Sequence, residues 1–486
     1  ISVVLKNRVN IHNLLMAIDV IKERFPYFNV QLKKGFFWFY LEHIDDKIPI
    51  VFDQQIPCRK FAKGGLLFRI LAVKNRISIE FSHILTDGSG ALEFFKSLLA
   101  AYFRECGIEI PPDFKFHQAG EMIPEEEYED SYKRYFREDV PSMLKQSKAF
   151  HLPFSLKAVP RFEVLNAIIS VSEIKKKAVE KGVDITVYLT SIYLSVLQDI
   201  YENLKPRSRK RKHKQLRIQV PINLRNIYPS ASMRNFSLFV MPEMDLRLGH
   251  YTFDEIIKTV YHQMQLETDE KLVNKIIARN VGSEKKLFVR SIPLFLKSFI
   301  LNLKYYSLGT SQYSGVITNL GRTVFPPAQS ECIDYFIVTP PPPNKKLKIN
   351  CGIIGFKDIL VLSFGNITRS KELEKRFCKF LIDQGIEIFH HFLFVGIGLS
   401  LIAIGLFQLL LIDEVNHESP GPVFQFPPRA LWILGFIGLA SSVGEGSMAD
   451  WSAIYLTDTI GTTESFAALG FATYSLAMTV GRLLGD

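Results

Sequence analysis

The segment RISIEFSHILTDGSG, residues 76–90, determines the predicted fold of this chain. Side chains alternate along a strand, so every second residue from Ile77 to His83 lies on one face, which predicts an inward-facing histidine at the strand end. Residues 91–103 carry apolar side chains at helical spacing. An imidazole between a strand and a helix suits a general base. A buried structural histidine with a satisfied hydrogen bond is the alternative.

Outward from this segment, the pattern predicts a mixed α/β chain. Residues 1–110 form a first block, residues 111–160 a crossover linker over the surface with an acidic cluster at 125–130, and residues 161–388 a second block. Helices are expected at 11–24, 172–181, 186–204, 253–280, 284–306 and 370–384. Strands are expected at 29–32, 36–41, 67–73, 162–171, 216–220, 236–241, 313–318, 333–338, 348–355 and 359–364.

Further segments strengthen the interpretation of the HxxxDG motif at residues 83–88: RFPYF at 24–28, FFWFY at 36–40, VPINLR at 220–225 followed by RNF at 234–236, and TNLG at 318–321. Together they resemble the superfamily of chloramphenicol acetyltransferases, condensation domains and wax-ester synthases, and most of all its alcohol acetyltransferase-like members. The resemblance spans residues 1–388. It implies an α/β fold of two chloramphenicol acetyltransferase-like sub-domains facing each other across a cleft.

The resemblance also implies an activity. An acyl group, acetyl in the first instance, would pass from a coenzyme A thioester to a hydroxyl or amine, with His83 as the base. Asp87 would be structural and would pair with an arginine, for which Arg225 is the candidate. Gly88 and Gly90 would permit positive φ and keep an acyl tunnel open beside His83.

The same resemblance places an oxyanion donor on the second block, at Asn319 or the Thr318 hydroxyl. An ordinary turn at residues 319–321 is the alternative.

The sequence departs from the family pattern at two places. Ser82 occupies the place of the second histidine of condensation domains, which favours a free-standing acyltransferase. Residues 363–366, SFGN, stand where relatives often carry Asp-Phe-Gly-Trp.

Composition is that of a globular protein, with 47% hydrophobic and 22% charged residues and a net charge of +10. The basic run at residues 207–214 is either a solvated loop or a contact for a cofactor phosphate through Arg209 and Arg211. Aromatic residues do not interleave with these charges, so nucleic acid is not an expected partner. Five cysteines without C-x-x-C spacing predict no disulfide framework and no metal, and fit a reducing cytoplasm.

The composition changes near residue 390. Residues 392–412 form an uncharged segment that is long enough to span a bilayer. Further apolar stretches follow at 430–456 and 465–484. Each alone could be a buried core helix, but three in succession predict an all-α transmembrane fragment of about three helices at residues 390–486. The segments at 444–451 and 481–486 resemble a major facilitator transporter. A cytoplasmic body anchored by these helices is the expected arrangement.

Three functions remain open from the sequence: an acyltransferase, a transporter with an accessory domain, and a silent acyl-CoA-binding domain. The join near residue 388 is either a genuine fusion or an accident of assembly. The chain opens inside an apolar strand without Met, so we expect missing sequence before Ile1.

Overall fold

The computed structural model describes residues 1–52, 58–112, 114, 116–141, 146–159, 161–304 and 309–388. The chain divides into two compact units, Ile1–Ser370 and Lys371–Asp486. The expected transmembrane fragment, residues 390–486, lies outside the described residues. Within the described ranges, no helix combines the length and the apolar character needed to cross a membrane.

The first unit contains strands and helices in alternation, as the pattern predicted. The strands are β1 (Ser2–Leu5), β2 (Val30–Lys34), β3 (Phe39–His43), β4 (Ile50–Phe52), β5 (Phe68–Val73), β6 (Arg76–Phe81), β7 (Glu163–Ser170), β8 (Gln215–Asn223), β9 (Ser237–Val240), β10 (Glu243–Asp245), β11 (Gly315–Thr323), β12 (Ile333–Ile337), β13 (Ile349–Phe356) and β14 (Ile359–Asn366). The helices are α1 (Ile11–Lys22), α2 (Gly88–Glu105), α3 (Ser131–Arg134), α4 (Val171–Glu180), α5 (Ile185–Glu202), α6 (Pro206–Lys210), α7 (Phe253–Glu267), α8 (Glu270–Lys285), α9 (Leu287–Ser291), α10 (Leu294–Lys304) and α11 (Pro327–Cys332). In the second unit, helix α12 spans Glu372–Asp383.

Two large sheets form the first unit. The first has the strand order β12-β1-β6-β5-β4, and the second has the order β10-β8-β11-β13-β14-β7, with β9 paired to β8. The pairs β8–β11 and β11–β13 are parallel, whereas β13–β14 and β14–β7 are antiparallel. A separate hairpin is formed by β2 and β3. The mixed α/β class expected from the sequence is therefore present.

Strand β12 belongs to the first sheet, although it lies between two strands of the second sheet in the sequence. It follows β11 in the chain and pairs antiparallel with β1 at the edge of the first sheet. Its side chains Ile333 and Phe336 are buried in the same apolar core as β1 and β6. A strand from the block expected at 161–388 thus completes a sheet that is otherwise formed by residues 1–110.

Helix α2 positions the functional turn. Asp87 caps its first turn by accepting hydrogen bonds from the backbone N–H groups of Ser89 and Gly90, which leaves fewer N–H groups unpaired at the helix start. The helix then buries most of its length, including Phe94 and Phe95, in an aromatic core. Ring contacts join Phe94 to Phe81 at the end of β6. The turn between β6 and α2 is therefore anchored at both ends.

Several expectations about local structure need correction, among them the single helix expected at 284–306, which is divided into α9 and α10. Strand β6 ends at Phe81, so His83 lies in the following turn and not on the strand face. The helix expected at 253–280 is two helices, because Asp269 caps a new one at Glu270. The acidic cluster at 125–130, expected over the surface, has Glu127 buried against Arg24.

Candidate functional site

The Asp87 carboxylate is fully engaged by protein donors. Its Oδ1 atom accepts hydrogen bonds from the N–H groups of Ser89 and Gly90, both at 3.0 Å. Its Oδ2 atom accepts from the N–H of Phe236 and from Nη1 of Arg225, both at 2.8 Å. The carboxylate is 3% exposed. It thus fastens the turn to the second block and has little capacity left for a substrate.

Arg225 is equally committed. Its Nη1 donates to Asp87 and, at 3.1 Å, to Oδ1 of Asn223. The Nε and Nη2 atoms donate to the carbonyl of Ser232 at 2.9 and 2.8 Å, and Nη2 also donates to the carbonyl of Arg234 at 2.7 Å. A guanidinium has five N–H groups, so these five bonds use all of them. The predicted pair with Asp87 is present, and Arg225 shapes the loop without an N–H to spare for a ligand.

Two further hydrogen bonds tie residues 83–90 to residues 232–236. The Thr86 hydroxyl donates to the carbonyl of Met233 at 2.8 Å, and the Asn235 amide donates to the carbonyl of His83 at 3.4 Å. Together with the Asp87 contacts, they hold the turn at both its start and its end. The backbone that carries the imidazole is therefore positioned by the loop after β8.

Gly88 and Gly90 serve a purpose that differs from the expected one. Neither glycine has a positive φ, so backbone freedom does not explain them. A Cβ on Gly88 would lie 2.6 Å from Cδ2 of Leu320, and a Cβ on Gly90 would lie 2.2 Å from Oγ1 of Thr86. At Gly90 the added atom would also lie 3.0 Å from the carbonyl oxygen of Met233, so steric contact favours glycine there, whereas at Gly88 it would meet only the rotatable end of the Leu320 side chain.

His83 occupies an accessible position in this fastened turn. Among the described residues, its ring makes no hydrogen bond, in contrast to the fully bonded Asp87 and Arg225. Surrounding protein removes part of its hydration and lowers its pKa below the ordinary histidine value, while the nearby Asp87 carboxylate opposes this shift. The imidazole is therefore neutral at pH 7 and able to accept a proton. The alternative of a histidine buried with a satisfied hydrogen bond does not fit this placement.

Asn319 and Thr318 lie on β11. The Asn319 amide donates to the Thr186 hydroxyl at 3.1 Å, and its Oδ1 accepts from the N–H of Gly321 at 2.8 Å. Thr318 pairs with Gly352 of β13 in the sheet. Residues 319–321 belong to β11, with an irregularity in its pairing with β13 after Asn319, so the alternative of an ordinary turn is wrong. Leu320 lies against Gly88, which brings this part of β11 beside the first turn of α2.

Arg209 and Arg211 are not brought to this site. Both are exposed, at and just after α6, and precede the start of β8, whereas Arg225 follows its end. Nine residues of extended strand separate the two ends by roughly 26 Å. Arg209 donates to the carbonyl of Glu202 at 3.2 Å.

A buried ion pair between Arg24 and Glu127 contacts the loop after β8. The sequence did not predict this pair. Arg24 donates to both oxygens of Glu127 at 2.8 and 2.7 Å, and the Tyr27 hydroxyl adds a third bond at 2.8 Å. Burial opposes ionisation of Glu127, yet these bonds hold the pKa of its carboxyl below the usual value. The carbonyl of Glu127 accepts from the N–H of Met233 at 3.0 Å. The sequence signal for this pair is an arginine, Arg24, next to an aromatic run at residues 25–28, together with the acidic cluster at residues 125–130.

No metal site accompanies the turn: the described part of the chain has no group of three or more His, Cys, Asp or Glu residues that could hold an ion. The chemistry available to the site is that of an imidazole base, hydroxyls and amides. These groups suit proton transfer during attack of a nucleophile on a carbonyl.

No family model matches the chain. A solved structure of the nonribosomal peptide synthetase FmoA3 superposes with a TM-score of 0.50 at 14% identity, over 79% of this chain and 40% of that one. The starter condensation domain of the rhizomide synthetase RzmA superposes with a TM-score of 0.44 at 10% identity, over 79% and 89%. At 14% identity the likeness to FmoA3 is one of fold. The chain shares the mixed α/β fold of part of that peptide synthetase.

The curated relatives of this chain are described as transporters. An uncharacterized transporter, y4wD, of Sinorhizobium fredii is 41% identical over 101 residues, which is 20% of this chain and 26% of the relative. An uncharacterized major facilitator-type transporter of Yersinia pestis is 46% identical over 76 residues, 16% of this chain and 20% of the relative. The chain thus spans about a quarter or less of the curated relatives it matches, and a part of it is similar to membrane transporters.

Proposed function

We propose that residues 1–388 form an acyltransferase, here called the body, that moves an acyl group from a coenzyme A thioester to an alcohol or amine. One observation carries this proposal. His83 is accessible, has a lowered pKa and makes no ring hydrogen bond among the described residues, while the Asp87–Arg225 pair fastens the turn beneath it. A free base on a rigid support is what general-base catalysis requires.

The reaction needs one proton acceptor. His83 takes the proton from the acceptor hydroxyl or amine as its oxygen or nitrogen attacks the thioester carbonyl. The tetrahedral intermediate then collapses, the carbon–sulfur bond breaks, and the imidazolium returns its proton to the leaving thiolate. The products are an ester or amide and free coenzyme A, and no further reactant is consumed.

The oxyanion would be stabilised from the second block. Asn319 is held by Thr186 and Gly321, and its amide retains one N–H beyond the bond to Thr186. We propose this N–H as the oxyanion donor, with the Thr318 hydroxyl as the other candidate. A donor that is already held in place loses no freedom during the reaction.

Recognition of the coenzyme A phosphates by Arg209 and Arg211 remains part of the proposal. Replacing both by alanine would then raise the KM for acetyl-CoA and leave unchanged the KM for an acetyl-pantetheine thioester, which lacks the nucleotide. Equal effects on both thioesters, or no effect on either, would show that these arginines do not bind the nucleotide of coenzyme A.

The proposal is tested with the full chain, a series of acyl-CoA thioesters of increasing length, and a panel of alcohols and amines. Release of free thiol reports turnover. Because a general base contributes about 10²–10⁴-fold, His83→Ala should lower kcat by at least about 100-fold. His12→Ala, a change at another exposed histidine, is the matched control. A His83→Ala variant as active as the parent would overturn the assignment, and acyl-CoA binding without turnover in the parent would indicate a silent binding domain.

Membrane transport is the second candidate, favoured by the 41% identity to a transporter over 101 residues. In that case the body is an accessory domain on the cytoplasmic side, and the carboxylates Glu445 and Asp450 would lie within the membrane. Amplification of source DNA across the codons for residues 375–400, extended downstream of Asp486, tests this. A continuous frame with further apolar spans supports it, and separate genes for the two parts exclude it.

A further inference from the structure

Helix α10 buries a charged side chain together with Leu294 and exposes most of its large apolar side chains. It buries Lys297, which is only 4% exposed, while Phe295 and Phe299 are 70% and 64% exposed. Surface helices of soluble domains usually bury the apolar side chains and expose the charged ones. Clusters of large exposed apolar side chains are features of surfaces that bind a protein or a membrane.

The buried lysine joins α10 to the β2–β3 hairpin. Its Nζ donates to the carbonyl of Phe37 at 3.1 Å and lies 3.4 Å from the centre of the Trp38 ring. The N–H of Leu294 donates to the carbonyl of Phe36 at 2.8 Å. The hairpin tip and the helix therefore form one surface, the aromatic face. It comprises the exposed side chains of Phe36, Phe37, Trp38, Phe39, Phe295 and Phe299.

Charge identifies the partner. Lys285, Lys286 and Arg290 just before α10 are exposed, and residues 285–304 contain no acidic residue. Isologous pairing with a second copy would place these like charges against each other, which is unfavourable. Exposed aromatic rings beside a cluster of basic residues are the features of surfaces that lie in the headgroup region of anionic bilayers.

We propose that the aromatic face docks the body onto an anionic lipid surface, with its phenylalanines and Trp38 at the level of the headgroups. Lys286 and Arg290, both exposed, contact lipid phosphates. This surface is independent of the proposed acyl transfer, because it uses no residue of the His83 site. It would hold the first unit against a membrane whether or not other parts of the chain cross it.

The test uses the full chain with Trp432→Phe and Trp451→Phe, which leaves Trp38 as its only tryptophan. The protein is reconstituted with vesicles of phosphatidylcholine, with or without phosphatidylserine, that carry bromine on the upper acyl chain. Bromine quenches only a tryptophan within the bilayer, so the signal reports Trp38 even if another segment anchors the chain. We expect strong quenching in the presence of phosphatidylserine.

Matched variants distinguish the contributions. Phe295→Ser with Phe299→Ser should weaken the partition that Trp38 quenching reports by at least about tenfold. Leu248→Ser with Val179→Ser, two exposed apolar residues outside the face, should leave it unchanged. Lys286→Gln with Arg290→Gln should weaken binding to phosphatidylserine vesicles about fivefold per charge.

Three outcomes overturn the proposal. One is that Trp38 is quenched equally by aqueous iodide with and without vesicles. Another is equal bromine quenching with and without phosphatidylserine. The third is protection of Trp38 in the absence of lipid, which would assign the face to a second copy if it depends on protein concentration, and to a segment of the same chain if it does not.

Discussion

The Oδ2 atom of Asp87 lies 2.8 Å from Nη1 of Arg225, although 138 positions separate the two residues in the sequence. The same oxygen accepts the N–H of Phe236, and the other carboxylate oxygen caps α2. One side chain therefore determines both where the helix begins and how the turn meets the loop after β8. This arrangement places Asp87 in a positioning role, with His83 left as the group available for chemistry.

Removal of the Asp87 carboxylate should cost stability because it leaves Arg225 partly buried without its counter-charge. We expect Asp87→Ala to lower the free energy of unfolding by about 3–5 kcal/mol, measured by urea denaturation. Arg134→Ala, which breaks an exposed ion pair with Glu129, should leave the free energy of unfolding nearly unchanged. A double-mutant cycle of Asp87→Ala and Arg225→Ala should show strong coupling. An Asp87→Ala protein as stable as the parent would contradict this role.

The position of Gly90 predicts a destabilising substitution. Gly90→Ala should lower the stability by about 1–3 kcal/mol, because the new methyl group collides with the Thr86 hydroxyl, which is bonded to the Met233 carbonyl, and crowds that carbonyl. Gly88→Ala should cost less, because its methyl group meets only the rotatable end of the Leu320 side chain. Gly65→Ala is the control, since a Cβ there meets only ordinary contacts. Equal stabilities of the Gly90→Ala and Gly88→Ala proteins would refute the steric explanation.

The lowered pKa of His83 predicts the pH dependence of turnover. A general base must be neutral, so kcat/KM should stay constant above the pKa of the folded protein and fall tenfold per pH unit below it. Loss of hydration lowers this pKa beneath the ordinary value of about 6.5, and the acid limb should therefore lie below pH 6.5. A limb centred above pH 7 in the kcat/KM profile would be inconsistent with the observed surroundings of His83.

The buried pair of Arg24 and Glu127 predicts a second effect of pH, on stability. The carboxyl has a lowered pKa in the folded protein, so its contribution is present above the unfolded value of about 4.5 and is lost as the pH falls through the folded value. Glu127→Gln should remove this acid-sensitive part and destabilise the protein at pH 7. Thermal denaturation at pH 3 and pH 7 measures both. An unchanged pH slope in the variant would show that another carboxyl is responsible.

The sequence predicted those features that depend on local pattern. Alternation identified β6, and apolar spacing identified α2, which begins three residues earlier than expected because Asp87 caps it. The motifs around Asp87 and Arg225 also predicted their pairing, which the structure contains.

Features that depend on distant contacts were predicted wrongly or missed. Gly90 has little room for a side chain because of the Met233 carbonyl, more than 100 positions away, and no local pattern shows this. Glu127 lies among acidic neighbours typical of a surface, yet Arg24 and Tyr27 pair with it in the interior. The break between α7 and α8 had a local signal, Thr268 followed by the capping residue Asp269.

The pairing of β12 with β1, at the edge of the first sheet, affects the order of folding. Until residue 337 has been synthesised, β1 has only one neighbour, β6, and leaves an open, apolar edge. Contacts over such a sequence separation slow folding, and open edges favour association with other chains. The nascent first sheet therefore remains incomplete through most of translation. A ribosome paused between β11 and β12 would hold this edge open and expose the chain to aggregation.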